Sequence, residues 1–147
     1  MTVIIKVYEN DTTVLYDLKA NLIGPDNVGK LTTIKNLEKL VSDDRSYLLV
    51  AIIDGMVVGY ALAYRFPSLH ADSFLAYLYD IEVLQNHRRK GVGKLLIEAM
   101  LTNLKADGVK ELWLGTAINN TEGQGLFSST GAEKSDETFN DYTYYLK

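Results

Sequence analysis

The chain has 147 residues, 47% of them apolar and 23% charged, with a formal net charge of −4. That composition fits one folded domain with a real core and argues against a disordered or low-complexity chain. It contains no cysteine and only two histidines, which excludes disulfides and thiolate nucleophiles and argues against any metal centre.

No apolar run approaches the roughly 20 residues of a membrane span. The start, Met-Thr-Val-Ile-Ile-Lys-Val, has no basic n-region or cleavage site, so a cytoplasmic location is expected. The acidic balance disfavours nucleic acid as a partner, because phosphate-backbone binding needs a basic face. No G-x-S-x-G marks an activated serine. An enzyme with these residues works by positioning two substrates or by borrowing chemistry from a cofactor.

In chain order, Val3 to Tyr8 alternates as a strand. Asp11 or Thr12 caps a first helix running to about Ala20, and Gly24-Pro25-Asp26 breaks the chain. A second helix is expected over Leu31 to Val41. Ser46 to Ile53 and Met56 to Tyr64 are strands joined by Asp54-Gly55, a strong hairpin signal. Ser73 to Leu84 is a third long strand. Lys94 to Asp107 carries Leu96, Met100 and Leu104 at i, i+4 and i+8, and closes at Gly108. Val109 to Ala117 is a strand, Asn120 to about Thr130 a short helix, and Tyr142 to Leu146 a final strand. The strand–helix–strand over 73–117 forms one crossover unit. The expected class is α/β (α+β), a domain built on a mixed sheet.

The stretch from Gln85 to Lys94 leaves a strand and opens a helix. Within it, Arg88-Arg89-Lys90-Gly91-Val92-Gly93 sets two glycines and a basic run at the helix start. Helix N-termini carry unpaired N–H groups, glycine lets an anion approach the backbone, and Arg adds bidentate geometry. Together they make a phosphate cradle. Neither the dinucleotide fingerprint nor a Walker A loop is complete here.

Arg88-x-x-Gly91-x-Gly93 resembles the [QR]-x-x-G-x-[GA] signature of the GNAT superfamily of N-acetyltransferases. Tyr77 to Val83 resembles that family's fourth strand, and Asn120 with Leu126-Phe127-x-x-x-Gly131 resembles a segment near its end. Val57-Val58-Gly59 through Val83, with His87-Arg88-Arg89, looks closest to the aminoglycoside 3-N-acetyltransferase-like branch. The resemblance covers nearly the whole chain as one acetyltransferase domain, residues 1–147.

The resemblance implies a mostly antiparallel sheet of about six to seven strands, with helices on both faces and with strands 4 and 5 splayed apart. It implies acetyl-CoA as cofactor and direct acetyl transfer to a primary amine of a small cationic acceptor, aminoglycoside-like or polyamine-like. Arg88, Arg89, Lys90, Gly91, Val92, Gly93 and Lys94 would hold the pyrophosphate. Ile81, Glu82 and Val83 would present backbone groups to the pantetheine arm, Asn120 would hydrogen-bond the pantetheine, and Phe127 would belong to the cofactor site. The N–H of Val83 would polarise the thioester carbonyl. A homodimer would also be in keeping with the family.

Asp80 and Glu82 sit two apart on a strand, hence on one face. A carboxylate there serves to take the proton of an ammonium acceptor. Asp80 matches the Tyr-Asp pair of the aminoglycoside branch, and Glu82 stands where that branch has a small residue. Phe127 departs from the pattern, because the family commonly has there the tyrosine that protonates the leaving thiolate. Tyr142, Tyr144 and Tyr145 are candidate substitutes. A non-catalytic CoA-binding or regulatory module is the alternative that Phe127 favours. Trp113 is expected in the core and His70 on a surface loop.

Overall fold

A computed structural model of the protein describes residues 1–23 and 32–146. The expected break at Gly24-Pro25-Asp26 and the expected helix start at Leu31 lie outside the described residues. The chain divides into two compact units, residues 1–115 and residues 116–147.

The first unit runs β1 (Thr2–Lys6), α1 (Thr12–Leu18), a π-helical turn (Lys19–Ile23) and α2 (Ile34–Ser42). It continues through β2 (Ser46–Ile53), β3 (Met56–Pro67) and β4 (Phe74–Val83) to α3 (Val92–Ala106) and β5 (Val109–Trp113). The sheet order is β1-β2-β3-β4-β5, with three antiparallel pairings and a parallel β4–β5 pair closed by the α3 crossover. The β2–β3 hairpin forms because Asp54 (φ 50°) and Gly55 (φ 77°) both take positive φ, as a type I′ turn demands. At the other end of α3, Gly108 takes φ 82° and stops the helix before β5.

One face of the sheet packs on α1 and α2. Leu15, Leu18 and Leu37 from the helices are buried with Val7, Leu48, Val50, Val57 and Leu62, and Tyr60 and Tyr64 pack against them. The other face carries α3. A Cβ placed on Gly59 would meet Leu96 of α3 at 3.4 Å, so Gly59 faces α3 while its neighbour Tyr60 faces the opposite cluster. Val92, Leu96, Met100 and Leu104 recur every four residues and are all buried. Side chains of that size contribute about 1.5–3 kcal/mol each on full burial.

Near the start of β2, the Tyr47 ring is fully buried. Its hydroxyl donates to Asp107 Oδ2 (2.6 Å) and accepts from Arg65 Nη1 (2.9 Å).

Two β-bulges interrupt the ladders. Ala51 pairs with Gly59 and Ile52 with Val57, which leaves Val58 as an extra residue on β3. Leu62 pairs with Asp80 and Ala63 with Leu78, which leaves Tyr79 extra on β4. Side chains of the α1 region serve the first bulge. Asp17 Oδ2 accepts the Val57 N–H (2.9 Å), and Asn21 Nδ2 donates to the Val57 carbonyl (3.1 Å).

The second unit contains α4 (Thr121–Ser129), followed by Gly131 at φ 98°. The expected strand Tyr142–Leu146 does not form, and the sheet has five strands among the described residues instead of six to seven. Tyr142, Tyr144, Tyr145 and Leu146 are exposed. Aromatic and β-branched residues favour a strand only where a neighbouring strand and a buried face receive them.

Candidate active site

Strand β4 outruns its parallel partner. Pairing with β5 ends at Tyr77 opposite Trp113, and Leu78–Val83 continue with β3 alone. Among the described residues, the edge of β4 on the β5 side is therefore unpaired over its last six residues. The Leu84 N–H donates to the Val58 carbonyl at 2.8 Å, into β3. Backbone groups alternate sides along a strand, so Val83 and Ile81 turn theirs to the open edge and Glu82 turns its own toward β3.

The Gln85–His87 stretch then forms one 3₁₀ turn, and the chain enters α3 at Gly91. Gly91 has φ 82°, a left-handed conformation that suits glycine, and a Cβ there would meet nothing within 4 Å. Gly91 brings no side-chain cap, and the first bond of α3 is the Leu95 N–H to the Gly91 carbonyl (3.1 Å). The N–H groups of Gly91, Val92, Gly93 and Lys94 are thus the four that the helix geometry leaves without an intrahelical partner. Arg88, Arg89, Lys90 and Lys94 are exposed around them. Lys94 lies 4.0 Å from Glu98 one turn on. Arg88 Nε donates to the Val83 carbonyl at 2.8 Å, which ties the basic loop to the end of β4. His87 has a buried Nδ1 with no hydrogen-bond partner among the described residues. Open amides, a positive helix end and four cations form a cradle that fits a pyrophosphate, and the open edge fits an extended amide-bearing arm.

Asp80 and Glu82 lie opposite Leu62 and Tyr60 in the β3–β4 register, so they share a face as their spacing requires. The Tyr60 hydroxyl donates a hydrogen bond to Asp80 Oδ2. Burial first, then the Asp80 carboxylate, pushes the Tyr60 phenol far above the ordinary tyrosine range. Tyr79 beside it meets Tyr64 edge-on, with ring centroids 6.1 Å apart. Tyr60 carries no local signal of this role, because the six residues between β3 and β4 do not fix a cross-strand register.

In the second unit Asn120 is the N-cap of α4. Its Oδ1 accepts the Gly123 N–H (3.1 Å) and its Nδ2 donates to Thr116 Oγ1 (2.9 Å). Phe127 is half-buried on the same helix. Trp113 departs from expectation. It is 44% exposed, because β5 is the edge strand, and it packs edge-on against Phe66 and at a tilt against Tyr77, both at 5.4 Å. His70 is exposed, as expected.

Comparison with known proteins settles the family. The profile of the Acetyltransferase (GNAT) family matches residues 13–132. The chain belongs to the GNAT family. Solved structures share its fold over nearly the whole length. Aminoglycoside acetyltransferase meta-AAC0020, from an uncultured soil metagenomic sample, matches in two complexes. With sisomicin the identity is 24% and the TM-score 0.86, and with trehalose they are 25% and 0.84. Each match covers 99% of this chain and 97% of the other. AAC(6')-Iy, in complex with the bisubstrate analogue CoA-S-monomethyl-acetylneamine, has 22% identity and a TM-score of 0.75, with 99% of each chain covered. No curated protein sequence matches the chain. Among the described residues, no helix of this GNAT chain is long and apolar enough to cross a membrane.

Proposed function

We propose that the protein transfers the acetyl group of acetyl-CoA directly to a primary amine of a small cationic acceptor, of aminoglycoside-like or polyamine-like chemistry. The observation that carries this reading is the junction at Val83. There the open end of β4, with its outward N–H, is tied by Arg88 to the anion cradle of α3. A cofactor held by its pyrophosphate at the cradle would lay its extended arm along that edge. Acetyl-CoA supplies an activated acetyl thioester.

The chain's own groups have distinct parts in this scheme. The amides of Gly91 to Lys94, with Arg88, Arg89 and Lys90, hold phosphate charge. Ile81 and Val83 offer backbone hydrogen bonds along the edge, and the Val83 N–H faces the negative charge that develops on the acyl oxygen. Asp80, with Glu82 beside it, takes the proton of the ammonium acceptor. Phe127 has no proton to give, so the leaving thiolate is protonated by water or by one of Tyr142, Tyr144 and Tyr145. The acidic pair on the acceptor side, and neighbours solved with sisomicin and with an acetylneamine analogue, support a cationic amine.

Calorimetric titration of CoA into wild type, Arg88→Ala and Gly93→Val tests the cofactor site. Both variants are expected to weaken binding by roughly 10-fold or more, Arg88→Ala through one lost hydrogen bond to a charged group and Gly93→Val through a branched side chain set beside the amides that the phosphate must approach. Unchanged affinity in both would refute the assignment. Amine-dependent release of free CoA distinguishes an acetyltransferase from a module that only binds CoA.

A further inference from the structure

We propose that Tyr60 is a positioning residue that selects Asp80, and not Glu82, as the carboxylate receiving the acceptor's proton. The inference rests on the acetyl-transfer reading above.

The geometry of β3 and β4 carries it. Tyr60 stands directly opposite Glu82 in the register, yet its hydroxyl reaches past Glu82 to Asp80 Oδ2. That contact exists because Tyr79 is an extra residue on β4. Leu78 is buried opposite Ala63, and strict alternation from it would turn Asp80 away from Tyr60. The bulge instead puts Tyr79 and Asp80, though consecutive, on one face, where they meet Tyr64 and Tyr60 respectively.

The Tyr60 ring is packed against the α1–α2 cluster. Its hydroxyl therefore comes from a fixed direction and pins one oxygen of Asp80 by a charge-assisted bond. Asp80 Oδ1 has no hydrogen-bond partner among the described residues and remains for the acceptor. Glu82 is exposed, and its side chain accepts no hydrogen bond among the described residues. A carboxylate held in one rotamer is a better-placed base than one free to move.

In the step itself, the ammonium N–H bond breaks and an O–H bond forms on Asp80 Oδ1. The nitrogen lone pair so released attacks the acyl carbon, and a C–N bond forms as the C–S bond breaks. The thiol group departs as the CoA thiolate, which takes up a proton from water, and the amide nitrogen gives its second proton to solvent. Tyr60 keeps its proton throughout.

The test uses the full chain with acetyl-CoA and two acceptors, sisomicin and spermidine. Tyr60→Phe removes only the hydroxyl and should lower kcat by about 10- to 100-fold, the scale of a misplaced catalytic group. KM for acetyl-CoA should stay within about twofold, because the cradle is untouched. Asp80→Asn should show a deficit at least as large, and the double variant should be no worse than Asp80→Asn alone. Glu82→Gln should lose less than Tyr60→Phe. Both the Tyr60→Phe and Asp80→Asn deficits should shrink as pH rises and more of the amine is already free, a change that a merely structural defect would not follow.

Wild-type kcat in Tyr60→Phe, additive losses in the double variant, or a pH-independent deficit would each overturn the proposal. Thermal melts of the wild type, Tyr60→Phe, Asp80→Asn and the double variant report the Tyr60–Asp80 coupling without any acceptor, and no coupling there would also overturn it. Bound CoA without amine-dependent CoA release in the wild type would instead overturn the enzymatic reading on which this one stands.

Discussion

Gly59→Ala tests whether the end of β4 is set as finely as acyl transfer requires. Gly59 lies on β3 opposite Val83. A Cβ added there would sit 2.9 Å from the Glu82 carbonyl oxygen, 3.3 Å from Val83 Cγ2 and 3.4 Å from Leu96 Cδ1. The closest of these is backbone, so no rotamer change relieves it, and β4 must move by about half an ångström to restore ordinary contact. Overpacking of this kind costs about 1–3 kcal/mol. For a domain of this size that lowers Tm by roughly 3–10 °C. The displaced segment carries the Val83 N–H, and loss of one such donor costs 10²–10³ in kcat. A partial displacement should therefore cost about 10-fold or more. The Gly91–Lys94 amides are not in contact with the new methyl, so CoA affinity should fall by less than kcat does, the loss coming from the Val83 backbone and its bond to Arg88. Melting, CoA titration and initial rates on one preparation give the three numbers. An unchanged Tm would refute the close approach. A lowered Tm with wild-type kcat would refute the role given to Val83.

Two further expectations concern stability. Burial, with the bond to Asp107, pushes the Tyr47 phenol up to about 12 from its ordinary 10.0. Its folded pKa lies above its unfolded one, so its contribution is complete below pH 10 and is lost as pH rises toward 12. Urea melts across that window should show falling stability, and Tyr47→Phe should flatten this slope while lowering stability at pH 7 by about 1–3 kcal/mol, through the two hydrogen bonds lost at the hydroxyl, although Arg65 and Asp107 keep their own ion pair at 3.5 Å. In α4, a Cβ on Gly123 would fall 2.4 Å from Asn120 Nδ2, whereas one on Gly125 would meet nothing within 4 Å. Gly125→Ala should stabilise the helix by about 1 kcal/mol, and Gly123→Ala should gain nothing because the lost cap of similar size cancels the propensity gain. Amide exchange of α4 in the two variants checks this, and equal protection in both would refute it.

Much of the first unit was legible from local signals. The Asp54-Gly55 turn set the β2–β3 hairpin, and β2 runs over Ser46–Ile53 as expected. The four-residue recurrence from Leu96 to Leu104 marked α3, although the helix begins earlier, at Val92. The basic glycine loop was legible because its chemistry lies in consecutive residues. Long-range pairing was not. Nothing local says whether Tyr142 to Leu146 finds a partner strand, and Trp113 could not be known to sit on an edge strand before the sheet order was seen.

The β-bulges show why the acceptor side was harder to read than the cofactor side. A period-two pattern assigns faces correctly only until an extra residue enters, after which each side chain turns to the other face. The spacing of Asp80 and Glu82 survives because both follow the bulge at Tyr79, so their shared face was predictable. Which face they share was not, because the bulge between Leu78 and Asp80 decides it. The bulge at Val58 acts in the same way on β3, and it lies one residue before Gly59 and two before Tyr60. Two single-residue insertions on adjacent strands thus bring Tyr60 to Asp80 and Gly59 to Val83. Both are properties of the pairing between strands, and no residue pattern within either strand carries them.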